Sequence, residues 1–81
     1  DEAVTACNTG IFLNHGQCCC ASSRTFVQAG IYDKFMAKLV EKAKMRKLGD
    51  PMHTGTEQGP LVDDIQFKRV LNYIDIGKKE G

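Results

Sequence analysis

The chain has 81 residues, a formal net charge of +1, 42% hydrophobic and 26% charged residues. That length allows one small domain at most, and a domain of this size buries only ~60% of the surface its unfolded chain exposes, so it is marginal by itself. The composition excludes a disordered tail, no apolar stretch approaches the ~18–20 residues of a membrane span, and the acidic start Asp1-Glu2-Ala3-Val4 lacks the basic region of a secretory signal.

Ala3, Val4, Cys7 and Ile11 follow helical spacing, and the turn chemistry of Asn14-His15-Gly16 ends that helix near Leu13. Cys7, on the apolar face, reads as a small core residue. Residues 14–23 form a polar, cysteine-rich loop. Arg24-Thr25-Phe26-Val27-Gln28 is β-prone and predicts a short strand closed by Gly30. From Ile31 to Arg46 the period turns helical: Ile31, Phe35, Leu39 and Ala43 form one ridge, and Tyr32, Met36 and Val40 the next. The basic residues Lys34, Lys38, Lys42, Lys44, Arg46 and Lys47 sit on this helix and crowd its end, where they complement the helix dipole. No aromatics alternate with them, so a nucleic-acid partner is not expected.

Residues 47–60 hold Gly49, Pro51, Gly55, Gly59 and Pro60 and predict a long irregular connection. His53 reads as a surface residue of it. The last helix opens at Asp63, which with Gln66 resembles a capping box. Phe67, Val70, Leu71 and Ile74 give that helix a buried face, and Gly77 is a C-terminal cap candidate. The order is helix, cysteine loop, strand, helix, long loop, helix, an α/β arrangement. A lone strand leaves its backbone groups unpaired, and three amphipathic helices do not close a core around it. The chain also starts without Met, on helix, and stops at Lys78-Lys79-Glu80-Gly81 without a terminator. The expectation is an internal segment, residues 1–81 being part of one catalytic domain incomplete at both ends.

The cysteines carry the chemistry. Of the four, Cys18, Cys19 and Cys20 are consecutive, which is poor geometry for disulfides among them. A structural zinc site would use two spaced pairs, which are missing, so no metal is expected. Adjacent thiols persist where thiols stay reduced, which predicts an intracellular compartment. A nucleophilic cysteine needs an accessible loop, an activated thiol and backbone N–H groups for a developing oxyanion. Residues 14–24 offer the first and third, with Gly16 for the turn and Ala21, Ser22 and Ser23 for close approach. Chemistry alone does not choose among the three thiols, whose side chains are expected to point in different directions. His15 could be imagined as a base for Cys19, but the sequence context of thiol proteases is missing. Asn14 reads as shaping the turn. A Cys18–Cys20 cluster holding a soft metal or doing redox chemistry is the alternative; a non-catalytic segment is a further one.

Phe12-Leu13-Asn14-His15-Gly16-Gln17-Cys18-Cys19-Cys20-Ala21-Ser22-Ser23-Arg24 resembles the active-site cysteine signature of the aldehyde dehydrogenase superfamily, F-x-N-x-G-Q-x-C-x-A-x-S-R. The stretches 25–28, 31–35, 49–51 and 56–62 match in the same order, so the resemblance covers essentially the whole chain. The triple cysteine is most similar to the mitochondrial NAD-dependent enzymes, with the cytosolic ones close behind. The resemblance implies that Cys19 is the nucleophile and that Leu13, Cys18 and Cys20 line the substrate pocket. Leu13 and His15 depart from the family's commonest residues, which bears on substrate preference. Gln66 matches a position that contacts the nicotinamide-side ribose, and Arg69 one near the cofactor; otherwise Gln66 only closes the capping box and Arg69 is solvated. The implied reaction is NAD(P)-dependent oxidation of a small aldehyde to an acid, through a cysteine thiohemiacetal and a thioester. The oxyanion-binding Asn, the general-base Glu and the Gly-rich cofactor segment of the family lie outside these residues. NAD is the implied cofactor, with NADP open; a homo-oligomer (dimer or tetramer) in the mitochondrial matrix or cytoplasm is the implied assembly, with no membrane partner.

Overall fold

A computed structural model describes all 81 residues. It holds three α-helices: α1 (Glu2–Phe12), α2 (Tyr32–Lys44) and α3 (Asp64–Glu80). Short 3₁₀ turns at Leu13–Gly16 and Ala29–Ile31 follow α1 and precede α2. None of the helices is long and apolar enough to cross a membrane.

Helix α1 starts with Glu2 in its first turn, where a carboxylate meets the positive end of the helix dipole. It packs on α2, burying Val4 and Asn8. Two polar ties fasten this pair. Lys38 of α2 forms an ion pair with Asp1. Arg46, just beyond α2, donates to Asn8 Oδ1 at 2.7 Å, and its guanidinium lies 4.9 Å from the centre of the Phe12 ring. Asn8 is 2% exposed, so its carbonyl needs this partner; its Nδ2 and the Arg46 Nε are buried without one.

The expected strand at Arg24–Gln28 does not form: no ladder includes it, and Phe26 is 94% exposed. Propensity makes a segment extended, but a strand also needs a neighbour to take its backbone hydrogen bonds, and no other extended segment of these residues lies beside it. The only β pairing is a single parallel bridge between Leu48 and Gln58. It closes the long connection on itself. The Glu57 and Gln58 N–H groups both donate to the Lys47 carbonyl, and the Gly49 N–H donates to the Gln58 carbonyl. Asp50 accepts from the Met52 N–H at 2.9 Å through its side chain and from the His53 N–H through its carbonyl. Residues 47–58 are thus a closed, internally bonded loop rather than an open linker.

Asp63 caps α3 as expected, its carboxylate accepting from the Gln66 N–H at 2.8 Å. Gly77 is not a cap. The helix runs through it to Glu80, because no partner or competing turn stops it there and Lys78 and Lys79 suit a last turn. Helix α3 makes no backbone-level contact with α1 or α2. Phe67, expected in a core, is 50% exposed, as is Tyr32. Val4 is the one apolar residue that is buried. The radius of gyration is 14.2 Å, against about 12 Å for a compact chain of this length. The helices have apolar faces as the periodicity requires, but within these residues the faces of α2 and α3 find too little to pack on.

Candidate active site

The cysteine loop is built by a rare backbone path. Asn14 (φ 50°), His15 (φ 61°) and Gly16 (φ 76°) are successive left-handed residues. Asn tolerates this region better than most residues, and Gly adopts it freely. The path reverses the chain after α1, and the Asn14 carbonyl accepts from the Gln17 N–H at 3.0 Å. Strained residues persist only when their surroundings hold them, and two glutamines do so here. Gln58, 8% exposed, donates from Nε2 to the Phe12 carbonyl at 2.6 Å and faces His15 Nδ1 with its Oε1 at 2.7 Å. With Nε2 committed as donor, Oε1 is the acceptor, so His15 carries a proton on Nδ1. Gln17 in turn accepts from the Val62 N–H at 3.2 Å, tying the loop to the approach to α3. His15 is therefore a brace, bonded to Gln58 and not to a thiol.

A second close approach sets the far side of the loop. The Ser22 N–H donates to the Gly10 carbonyl at 3.1 Å. A Cβ on Gly10 would fall 2.6 Å from Ser22 Oγ and 3.1 Å from its Cβ. Glycine inside α1 costs helix stability, and what it permits here is the seating of residues 21–23 against the helix. Between these two anchorages Cys18–Ala21 makes a turn, with the Ala21 N–H donating to the Cys18 carbonyl at 3.1 Å and Cys19 and Cys20 at its centre.

That turn corrects one expectation. The three thiols do not diverge: their sulfurs all lie within 4.8 Å of one another, and Cys18 Sγ is 3.4 Å from Cys20 Sγ. An extended chain would alternate these side chains, whereas the turn gathers them. The Cys20 backbone N–H and the Cys20 thiol, donating towards the Cys18 sulfur, hold the Cys18 thiol below the usual range. Its partner Cys20 is pushed up by the same contact and by the charge it faces on Cys18. Cys19 and Cys20 are exposed, Cys18 half-buried. The Cys19 N–H, outside any helix, donates to no protein acceptor.

Cys18 and Cys19 line a cavity of about 640 Å³ with Asn14, His15, Gln17, Val62 and Gln66. Of the residues expected at the site, the structure therefore brings Cys18, Cys19 and Gln66 onto one concave surface. Leu13, Cys20 and Arg69 do not line it; Leu13 is 58% exposed and Arg69 is exposed one turn along α3. Although Asp63 takes the Gln66 backbone N–H, the Gln66 carboxamide makes no hydrogen bond within the chain and does not reach back to close a capping box. The Gln66 carboxamide is thus an uncommitted donor and acceptor on the surface that Cys18 and Cys19 also line. Sequence reasoning missed Gln58 and Gln17 as braces; Gln58 lies 43 residues from His15, and no local pattern marks it. Cys7, half-buried, takes only a long contact from Thr25 Oγ1 at 4.0 Å.

Comparison with known proteins places this architecture. The model of the aldehyde dehydrogenase family matches residues 1–81. The chain is 54% identical over its full length to an aldehyde dehydrogenase of Emericella nidulans and to the mitochondrial aldehyde dehydrogenase of Homo sapiens, in each case spanning 16% of the relative. Among solved structures, the NAD+ complex of an aldehyde dehydrogenase from Bacillus cereus superposes with a TM-score of 0.94 at 50% identity, over 99% of this chain and 16% of that one. A Thermus thermophilus protein, HpcC, superposes equally well at 40% identity. The helical arrangement seen here thus recurs inside much longer chains, and with the family model matched from end to end, the chain belongs to the aldehyde dehydrogenase family.

Proposed function

We propose that these residues supply the nucleophile of an NAD(P)-dependent oxidation of a small aldehyde to a carboxylic acid, with Cys19 as the attacking group. The observation that carries this reading is the shared cavity: an exposed thiol with an unspent backbone N–H lines the same concave surface as the free carboxamide of Gln66. The Cys19 thiolate attacks the aldehyde carbon, a C–S bond forms, and the carbonyl electron pair moves onto oxygen. That oxygen is where the unspent Cys19 N–H is most useful, since a fixed donor stabilises charge that develops only in the transition state. When bound, NAD(P)+ supplies the acceptor for the hydride leaving the thiohemiacetal carbon. Cys19 then carries the acyl group as a thioester, which water hydrolyses to the acid, returning the thiolate. Gln66 would hold the nicotinamide-side ribose, with Arg69 a further cofactor contact one turn along α3. Cys18 borders the aldehyde, and Leu13 and Cys20 complete the substrate passage.

These residues are the greater part of neither the reaction nor its domain. The second oxyanion donor, the general base and the Gly-rich cofactor cradle belong to the remainder of a catalytic domain of α/β class, whose sheet gives residues 24–28 the strand neighbour they lack here. The exposed apolar faces of α2 and α3 are what such a domain covers. A homo-oligomer in the mitochondrial matrix or cytoplasm is the assembly we propose, consistent with three reduced neighbouring thiols and with relatives that are named mitochondrial.

The test is thiol by thiol in the complete protein. Cys19→Ser is expected to remove aldehyde-dependent NADH formation by about 10³-fold or more, the scale of losing a covalent nucleophile. Cys7→Ser is expected to keep it. Iodoacetamide should label Cys19 before Cys7, with loss of activity tracking the Cys19 label. Full activity in Cys19→Ser, or labelling of all four thiols at one rate, overturns the assignment.

A further inference from the structure

The three thiols form a donor set that the proposed reaction does not use as a set. Around a metal ion with M–S bonds of about 2.3 Å, three sulfurs sit roughly 3.8–4.0 Å apart in tetrahedral or trigonal geometry. Here one pair is at 3.4 Å and no pair exceeds 4.8 Å, so the required spacing lies inside the present range. Side-chain rotation alone closes the difference, because Cys19 and Cys20 are exposed and the turn holds the backbone. The donors are all sulfur, which selects soft ions over magnesium or calcium. Two of the three sulfur-bearing residues line the open cavity, so an ion can reach them from solvent.

We infer that Cys18, Cys19 and Cys20 together bind one soft metal ion of the Zn(II) or Cd(II) kind, in a three-thiolate site whose occupation and use of Cys19 as a nucleophile are mutually exclusive. For a divalent ion the step balances as three thiols and one M(II) giving a three-thiolate complex of charge −1 and three protons released to buffer. Metal binding stands independently of the proposed dehydrogenase chemistry; only the consequence, inhibition by the ion, rests on that reading.

Cd(II) alone is the probe, added to the complete, reduced, metal-free protein. The expected result is one Cd(II) per chain with near-ultraviolet thiolate-to-metal charge transfer, release of three protons, and protection of Cys19 from iodoacetamide. Cys18→Ser/Cys20→Ser, which exchange only sulfur for oxygen, are expected to weaken binding at least 100-fold with the melting temperature unchanged, whereas Cys7→Ser leaves it intact. Absence of the charge-transfer band overturns the site, and so does a band that survives the double substitution, which would mean an adventitious ion only. Metal binding without aldehyde oxidation in the metal-free protein would instead remove the functional reading and keep the site.

Discussion

The cysteine turn and helix α3 are held in opposite ways. The turn is locally unfavourable, with two non-glycine residues in the left-handed region, yet long-range polar ties fix it from several sides: Gln58 to Phe12 and His15, Val62 to Gln17, Ser22 to Gly10. Helix α3 is locally favourable, capped by Asp63 and braced by a Lys68–Asp64 pair one turn apart, yet its apolar stripe meets almost nothing. Between α3 and the body lies an open groove of about 940 Å³, lined by Phe12, Leu48, Leu61, Phe67, Leu71 and Ile74 among others. The cysteine turn is thus the segment whose geometry these residues determine for themselves, and the helix is the one that waits for a partner.

The sharpest way to break that contrast is to remove the brace. Gln58→Leu keeps the volume and deletes both the partner of His15 and the side-chain donor to the Phe12 carbonyl. An orphaned buried polar group costs about 1–3 kcal/mol, so a fall in melting temperature is expected, together with a fall in aldehyde turnover, since the turn that presents Cys19 loosens. Gln58→Glu retains an acceptor for His15 and loses the donor to Phe12, and should fall between. Unchanged stability and turnover in Gln58→Leu would mean that the turn is fixed by something other than this residue.

Gly16→Ala probes the same turn through backbone alone. A Cβ there would meet nothing closer than the Ile11 carbonyl at 3.5 Å, an ordinary contact, but φ is +76°. The expected cost is about 1–2 kcal/mol, the left-handed penalty of an L-residue, read by denaturant unfolding. Gly16→Asn should cost less, because asparagine tolerates this region. Equal costs for the two would point to a steric cause instead.

The same contrast explains what the sequence reveals. Helix positions were legible because 3.6-residue periodicity and an Asp cap are local signals: α1 ends at Phe12 and α3 begins after Asp63 as read. The strand at 24–28 was not, because β pairing is a property of two segments and only one is present. Gly77 misled because a glycine marks a helix end only when the chain turns there. In the site, Cys19 and Gln66, both singled out from the sequence, line one cavity. The convergence of three consecutive thiols was not, since it depends on the turn closed by the Ala21 N–H on Cys18. Gln58 and the Asn8–Arg46 tie were invisible for the same reason: their partners lie roughly forty residues away in the chain.

Gly77 gives the smallest effect and the finest test of how α3 is held. It lies inside the helix with nothing within 4 Å of where a Cβ would stand, so alanine gains helix propensity without a clash. Gly77→Ala should therefore raise stability by about 0.5–1 kcal/mol, measured as an upward shift of the denaturation midpoint. Were Gly77 a left-handed cap, the same substitution would lower stability by a similar amount. A loss in the complete protein accompanied by unchanged helicity would have a different meaning: another element packs closely on this turn and covers the end of α3. The sign of one small change thus separates a helix that continues freely from one whose last turn is already partnered.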